Sequence, residues 1–118
     1  SSKSYARENT REERIMPVQT LPERNYVYIT FDFPNVGFLH QSHINCFVQS
    51  ERPIDVWITD AIGFQQFQNG EQFAYFGGVQ NSTEYRQSLR VPHEGIWYVI
   101  IHNLQYQPTA IYYEVYQV

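Results

Sequence analysis

Cysteine, lysine and methionine each occur once in this chain, and basic side chains are scarce throughout its body. A single thiol, Cys46, permits no intrachain disulfide and no cysteine-built metal cluster. The fold must then rest on its core alone, which fits a reducing, cytoplasmic compartment. The chain opens on Ser1 and not on methionine, which leaves room for an upstream segment and keeps the compartment open. No apolar run approaches the roughly 20 residues that a spanning helix needs, and no apolar signal-peptide core is present. From Tyr26 onward only Arg52, Arg86 and Arg90 stand against eight acids, and the formal net charge is −4. Such a body repels phosphate backbones and anionic headgroups, which argues against nucleic acid and membrane as partners.

What the chain does have is aromatic and apolar mass. Hydrophobic residues make up 42% and aromatic residues 17%, with 10 Tyr and 8 Phe, enough for a packed core. At 118 residues the length suits one domain. Aromatic and β-branched side chains fit a pleated, half-buried surface, so strands are favoured. The clearest is Tyr26–Phe33, where Val27, Ile29, Phe31 and Phe33 alternate with Tyr28, Thr30 and Asp32. Further strands are expected over 44–49 and 54–59, separated by a turn at Ser50-Glu51-Arg52-Pro53. Extended structure over 73–76 is expected to stop at Gly77-Gly78, with strands following over 85–91, 96–102 and 111–118.

Between them, 60–70 reads as a short helical turn or loop excursion carrying Ile62, Phe64 and Phe67, with Asp60 as its cap. Long helices between strands are missing, which excludes parallel βαβ units. The fold expected is all-β: an antiparallel sandwich of jelly-roll or Greek-key type with about seven to eight strands. Trp97 or its neighbours should pack against Trp57 and the Phe64/Phe67 segment. Residues 1–25 read as an N-terminal arm and 26–118 as the sandwich domain. In the arm, Thr10-Arg11-Glu12-Glu13 has capping-box spacing, so 6–16 suits a short polar helix before Pro17 and Pro22.

Asp55-Val56-Trp57-Ile58-Thr59-Asp60, Phe64, Phe67, Asn69-Gly70, Tyr75-Phe76-Gly77-Gly78, Arg90-Val91-Pro92, Gly95-Ile96-Trp97 and Val99 follow one another in a recognisable order. Over residues 55–103 this order resembles a small bacterial family of uncharacterised β-sandwich domains, found alone or beside TIR signalling domains. The resemblance implies a sandwich and a sensing or scaffolding role next to a signalling domain. It implies no catalytic residues.

Candidate chemistry is thin. Cys46 shares a face with Ile44 and Val48, as a buried and inert thiol does. His40 and His43 stand close in sequence, but no third ligand completes a shell, so no metal and no cofactor are expected. Asp32, Asp55 and Asp60 form no fixed pair across a cleft. Gly77-Gly78 lacks the lysine and helix of a phosphate loop and instead permits a turn or a close backbone approach. Asn81-Ser82-Thr83 fits a glycosylation sequon, relevant only in a secretory setting. Tyr26, Tyr28, Tyr98, Tyr112 and Tyr116 fall on outward faces, and tyrosine is enriched at interfaces. The binding residues expected are therefore Trp57, Phe64, Phe67, Tyr75, Tyr98, Tyr112 and Tyr116, with no catalytic residue. The expected role is a non-enzymatic interaction or sensor module that takes a protein partner, a small ligand or a sugar. The alternatives are a subunit that self-assembles through its arm and edge strands, and a carbohydrate-binding module using Trp57, Tyr75 or Tyr98.

Overall fold

The computed structural model describes residues 18–118; the short helix expected over 6–16 lies outside them. The elements are β1 (Gln19–Leu21), β2 (Tyr26–Phe33), β3 (His43–Asp60), α1 (Ala61–Gln68), β4 (Gly77–Arg90), β5 (Gly95–His102) and β6 (Thr109–Gln117). Every strand pairing is antiparallel. The fold is all-β, as expected, but its described strands number six because β3 and β4 are long.

β3 is the axis of the architecture. Its first half pairs with β6 and its second half with β5, while β4 runs beside it along both halves. The result is one continuous sheet folded over into two layers. One layer is ordered β1, β6, β3, β4; the other is β2, β5, β3, β4. The turn expected at Ser50-Glu51-Arg52-Pro53 is instead a bend inside β3. Its polar groups are met without a chain reversal. Ser50 Oγ donates to Arg52 O at 2.6 Å, and the Arg52 N–H donates to Thr109 Oγ1 at 2.8 Å. The register against β4 shifts between Gln49 and Ile54 and again between Ile54 and Val56, and such bulges bend a strand.

No strand forms over 73–76, and Gly77-Gly78 opens β4 where a strand end was expected. Gly78 sits at φ 145°, and a Cβ there would overlap Val56 O, so only glycine lets β4 approach β3 this closely. Further along, Asn81 takes φ 53°, and its N–H donates to the buried Asp55 Oδ1 at 2.9 Å. The sheet also begins before the expected domain start at residue 26. β1 pairs with β6, and Leu21 is wholly buried.

The core lies between the layers. Val27, Ile29, Phe31 and Phe33 of β2 and Trp97, Val99 and Ile101 of β5 meet Ile44, Cys46 and Val48 of β3 and Ile111, Tyr113 and Val115 of β6. Trp97 is therefore an inner-face residue, not a partner of Trp57, which the alternation of β3 turns outward. Its neighbours Tyr98 and Ile100 are the β5 residues on the Trp57 side. The Trp97 indole N–H donates to His93 O at 3.0 Å. Asn103, fully buried at the end of β5, ties three segments together. Its amide donates to Leu21 O, Pro22 O and Gln107 O at 3.2, 3.1 and 2.9 Å, and its Oδ1 accepts from the Gln105 N–H at 2.9 Å.

Candidate binding surface

Each layer has an outer face, and the two differ in kind. The face of β2, β5 and the second half of β3 is roofed by α1. Asp60 caps that helix, as expected: the Gly63 N–H donates to its Oδ1 at 3.0 Å, while its Oδ2 lies 3.2 Å from His93 Nε2. Phe64 and Phe67, three residues apart, share the helix face turned to the sheet. Phe64 stacks on Tyr98 with centroids 4.0 Å apart and planes 10° apart, and it also packs 4.7 Å from Tyr28. Phe67 meets Tyr26 edge-on at 5.0 Å. Trp57 is covered by Phe73 at 5.6 Å and Tyr75 at 4.5 Å.

Trp57, Phe64, Phe67, Tyr75 and Tyr98 thus come together, but as a second small core. Trp57 and Phe64 are 6% and 7% exposed, whereas Tyr75 is 55% exposed. Tyr26, Tyr28 and Tyr98 do point outward, yet they are half-buried under the helix and not open to solvent. Phe64 stacks on one face of Tyr98, and Phe73 and Tyr75 pack against the Trp57 ring. Burial pushes the Tyr98 hydroxyl pKa up and the His102 imidazole pKa down.

Among the described residues, the outer face of β6, the first half of β3 and the second half of β4 carries no helix. Its side chains stand in cross-strand rows fixed by the register: Tyr116–Asn45–Ser88, Glu114–Phe47–Arg86 and Tyr112–Gln49–Glu84. Arg86 lays its guanidinium 4.1 Å over the Phe47 ring, and Phe47 meets Tyr112 edge-on at 6.2 Å. Tyr112 donates to Glu114 at 2.8 Å, a bond that raises the tyrosine pKa. Gln49 Nε2 donates to Glu84 at 3.3 Å. Among the described residues Arg86 forms no ion pair. A groove of about 310 Å³ runs between Asn45, Phe47, Arg86, Ser88, Glu114 and Tyr116. That volume lies at the lower end of the range known for small-ligand clefts.

Tyr112 and Tyr116 belong to this face, apart from the other five expected residues. Asn45, Phe47, Arg86, Ser88 and Glu114 were not expected. Once Ile44, Cys46 and Val48 are turned inward, period 2 turns Asn45, Phe47 and Gln49 outward, and a phenylalanine there was the available signal. Which β4 and β6 residues flank them depends on pairing and not on local sequence.

Cys46 backs this face from inside. It is buried, and burial pushes its thiol pKa up to about 12. Its reaction with a thiol-specific disulfide reagent at neutral pH should therefore be absent in the folded protein and stoichiometric after urea unfolding, because the thiolate is the reacting species. Rapid labelling of the native protein would contradict this placement. No group of three or more His, Cys, Asp or Glu that could hold a metal occurs among the described residues.

No family model matches the chain, and no curated protein matches it. Among solved structures it is similar to the pre-peptidase C-terminal domain of collagenase from Bacillus anthracis. The TM-score is 0.56 at 9% identity, over 98% of this chain and 95% of that one. The likeness is one of fold. It accords with an all-β domain of this size and does not bear on the TIR association implied by residues 55–103.

Proposed function

We propose that this domain is a non-catalytic binding module whose ligand lies on the open face of β6, β3 and β4. The observation that carries the reading is the contrast between the two outer faces: α1 seals one, and the other displays rings, amides and charges around a groove. Phe47, Tyr112 and Tyr116 offer apolar contact, while Asn45, Ser88, Glu114 and Arg86 offer hydrogen bonds of both polarities. This mixture suits a sugar, which has flat apolar patches rimmed by hydroxyl groups, better than a uniformly apolar peptide. An accessory place is supported by two likenesses. One is to a domain carried by a collagenase; the other, over residues 55–103, is to domains found beside TIR signalling domains.

The test is titration of a panel of soluble oligosaccharides, followed by amide chemical shifts and calorimetry. Shifts should cluster on 45–49, 84–88 and 112–116. Phe47→Ala and Tyr116→Ala should each weaken binding about tenfold, equivalent to about 1.4 kcal/mol. Shifts centred on Tyr75 and Phe76, with binding untouched by the Phe47 and Tyr116 changes, would overturn the assignment of the face.

A further inference from the structure

β4 has a free edge. Among the described strands it pairs only with β3, and over 84–90 that pairing is regular. The Val91 N–H donates to Ser42 O at 2.8 Å. In an antiparallel ladder, successive residues turn their N–H and C=O groups to opposite sides. The backbone groups of Tyr85, Gln87 and Leu89 are therefore directed at β3. Those of Glu84, Arg86, Ser88 and Arg90 are directed away from it. The Glu84 N–H and C=O are met there by Ser82 Oγ at 3.3 and 2.7 Å, which leaves Arg86, Ser88 and Arg90 to present the edge that can accept another strand.

We propose that this edge pairs antiparallel with the same edge of a second copy of the chain, about a two-fold axis at Gln87. The proposal rests on the self-complementarity of the residues and is independent of the ligand reading above. An isologous contact places residue i against j and j against i. With Gln87 on the axis, Glu84 of each copy stands opposite Arg90 of the other, so two opposite-charge pairs form. Arg86 stands opposite Ser88, and both belong to the edge-facing set, so their N–H and C=O groups meet in register. Tyr85 stands opposite Leu89 on the inner side, where both are already half-buried against the core and would gain cover. Neighbouring registers fail. A shift by one residue sets edge-facing groups against inward-facing ones. A shift by two places Arg86 against Arg86 or against Arg90, and like charges directly opposite are unfavourable. β4 has no proline that would block such pairing, and its charges at Glu84, Arg86 and Arg90 meet no like charge directly opposite in this register. The pairing would also join the open faces of two copies side by side, with the Arg86 groove of each at the seam.

Light scattering coupled to size exclusion, and sedimentation equilibrium, on the full chain decide the matter. A dimer is expected. Ser88→Pro removes an edge-facing N–H that β3 does not use, so its circular dichroism should stay native while the dimer is lost. Arg90→Glu sets Glu84 against a second carboxylate and should raise the dissociation constant about tenfold or more. The double change Glu84→Arg with Arg90→Glu recreates the pairs and should restore the dimer. A chain that is monomeric at every concentration overturns the proposal. So does a dissociation constant left unchanged in either single variant, and a swapped chain that dimerises no better than Arg90→Glu overturns the register.

Discussion

Asn103→Asp should lower the unfolding free energy by about 3–5 kcal/mol, a large part of what a domain of this size possesses. The wild-type side chain gives its amide hydrogens to Leu21 O, Pro22 O and Gln107 O and accepts from the Gln105 N–H. Aspartate keeps the acceptor and loses the donor, so the three carbonyls that converge on this fully buried side chain lose their partner and face a carboxylate instead. Urea unfolding at neutral pH measures the loss as a fall in midpoint. The variant also acquires a pH dependence of known sign. Burial against carbonyls raises the folded-state pKa of the new carboxyl, so its neutral form is favoured in the folded chain. The deficit is then smallest below the unfolded-state carboxyl pKa and grows as pH rises through it. A loss of unfolding free energy below about 1 kcal/mol would mean that Asn103 is not the tie its geometry describes.

Gly63→Ala should destabilise the protein by about 2–3 kcal/mol through overpacking beneath α1. Intrinsic preference points the other way, since alanine in a helix is favoured over glycine by roughly 1 kcal/mol. Space decides the sign. Gly63 is buried where the helix meets β3, and a Cβ there would overlap Thr59 Oγ1 and Ala74 O. Those two atoms bond to each other at 2.6 Å, and Thr59 is fully buried, so neither retreats easily. The helix must lift instead, and Phe64 and Phe67 lift with it. Trp57 lies beneath, so the substitution should red-shift tryptophan emission before global unfolding, with circular dichroism reporting the lower melting temperature. An unchanged melt would show that the helix seat is looser than the close approach indicates.

Strands with regular alternation were legible from sequence. Tyr26–Phe33 is found with the inner and outer residues expected, because one buried face imposes period 2. The segment 96–102 is found within β5, one residue longer at its start. Where local chemistry and long-range pairing disagree, the sequence misleads. Ser50-Glu51-Arg52-Pro53 has the residues of a turn, but the hydroxyl that satisfies the Arg52 N–H belongs to Thr109, far along the chain. Gly77-Gly78 looks like an end and is a beginning, since its small size serves an approach to Val56 that only pairing creates. The same division holds for the site. Outward tyrosines were readable, but which of them a helix would cover was not. Phe64 and Phe67 announce a helical turn without saying which sheet face it will seal, and the row Glu114–Phe47–Arg86 exists only in the register of three strands.

The continuous passage of β3 and β4 through both layers also sets an order of assembly. Only α1 and the segment after it separate these two strands, so their ladder closes a short loop. By contrast, β2 must find β5, and β1 must find β6, across most of the chain. Loop-closure entropy therefore favours the bent β3–β4 ribbon as the early nucleus, with both layers templated on its two halves at once. Folding then proceeds outward from one hairpin, and the sandwich never has to dock two independently formed sheets.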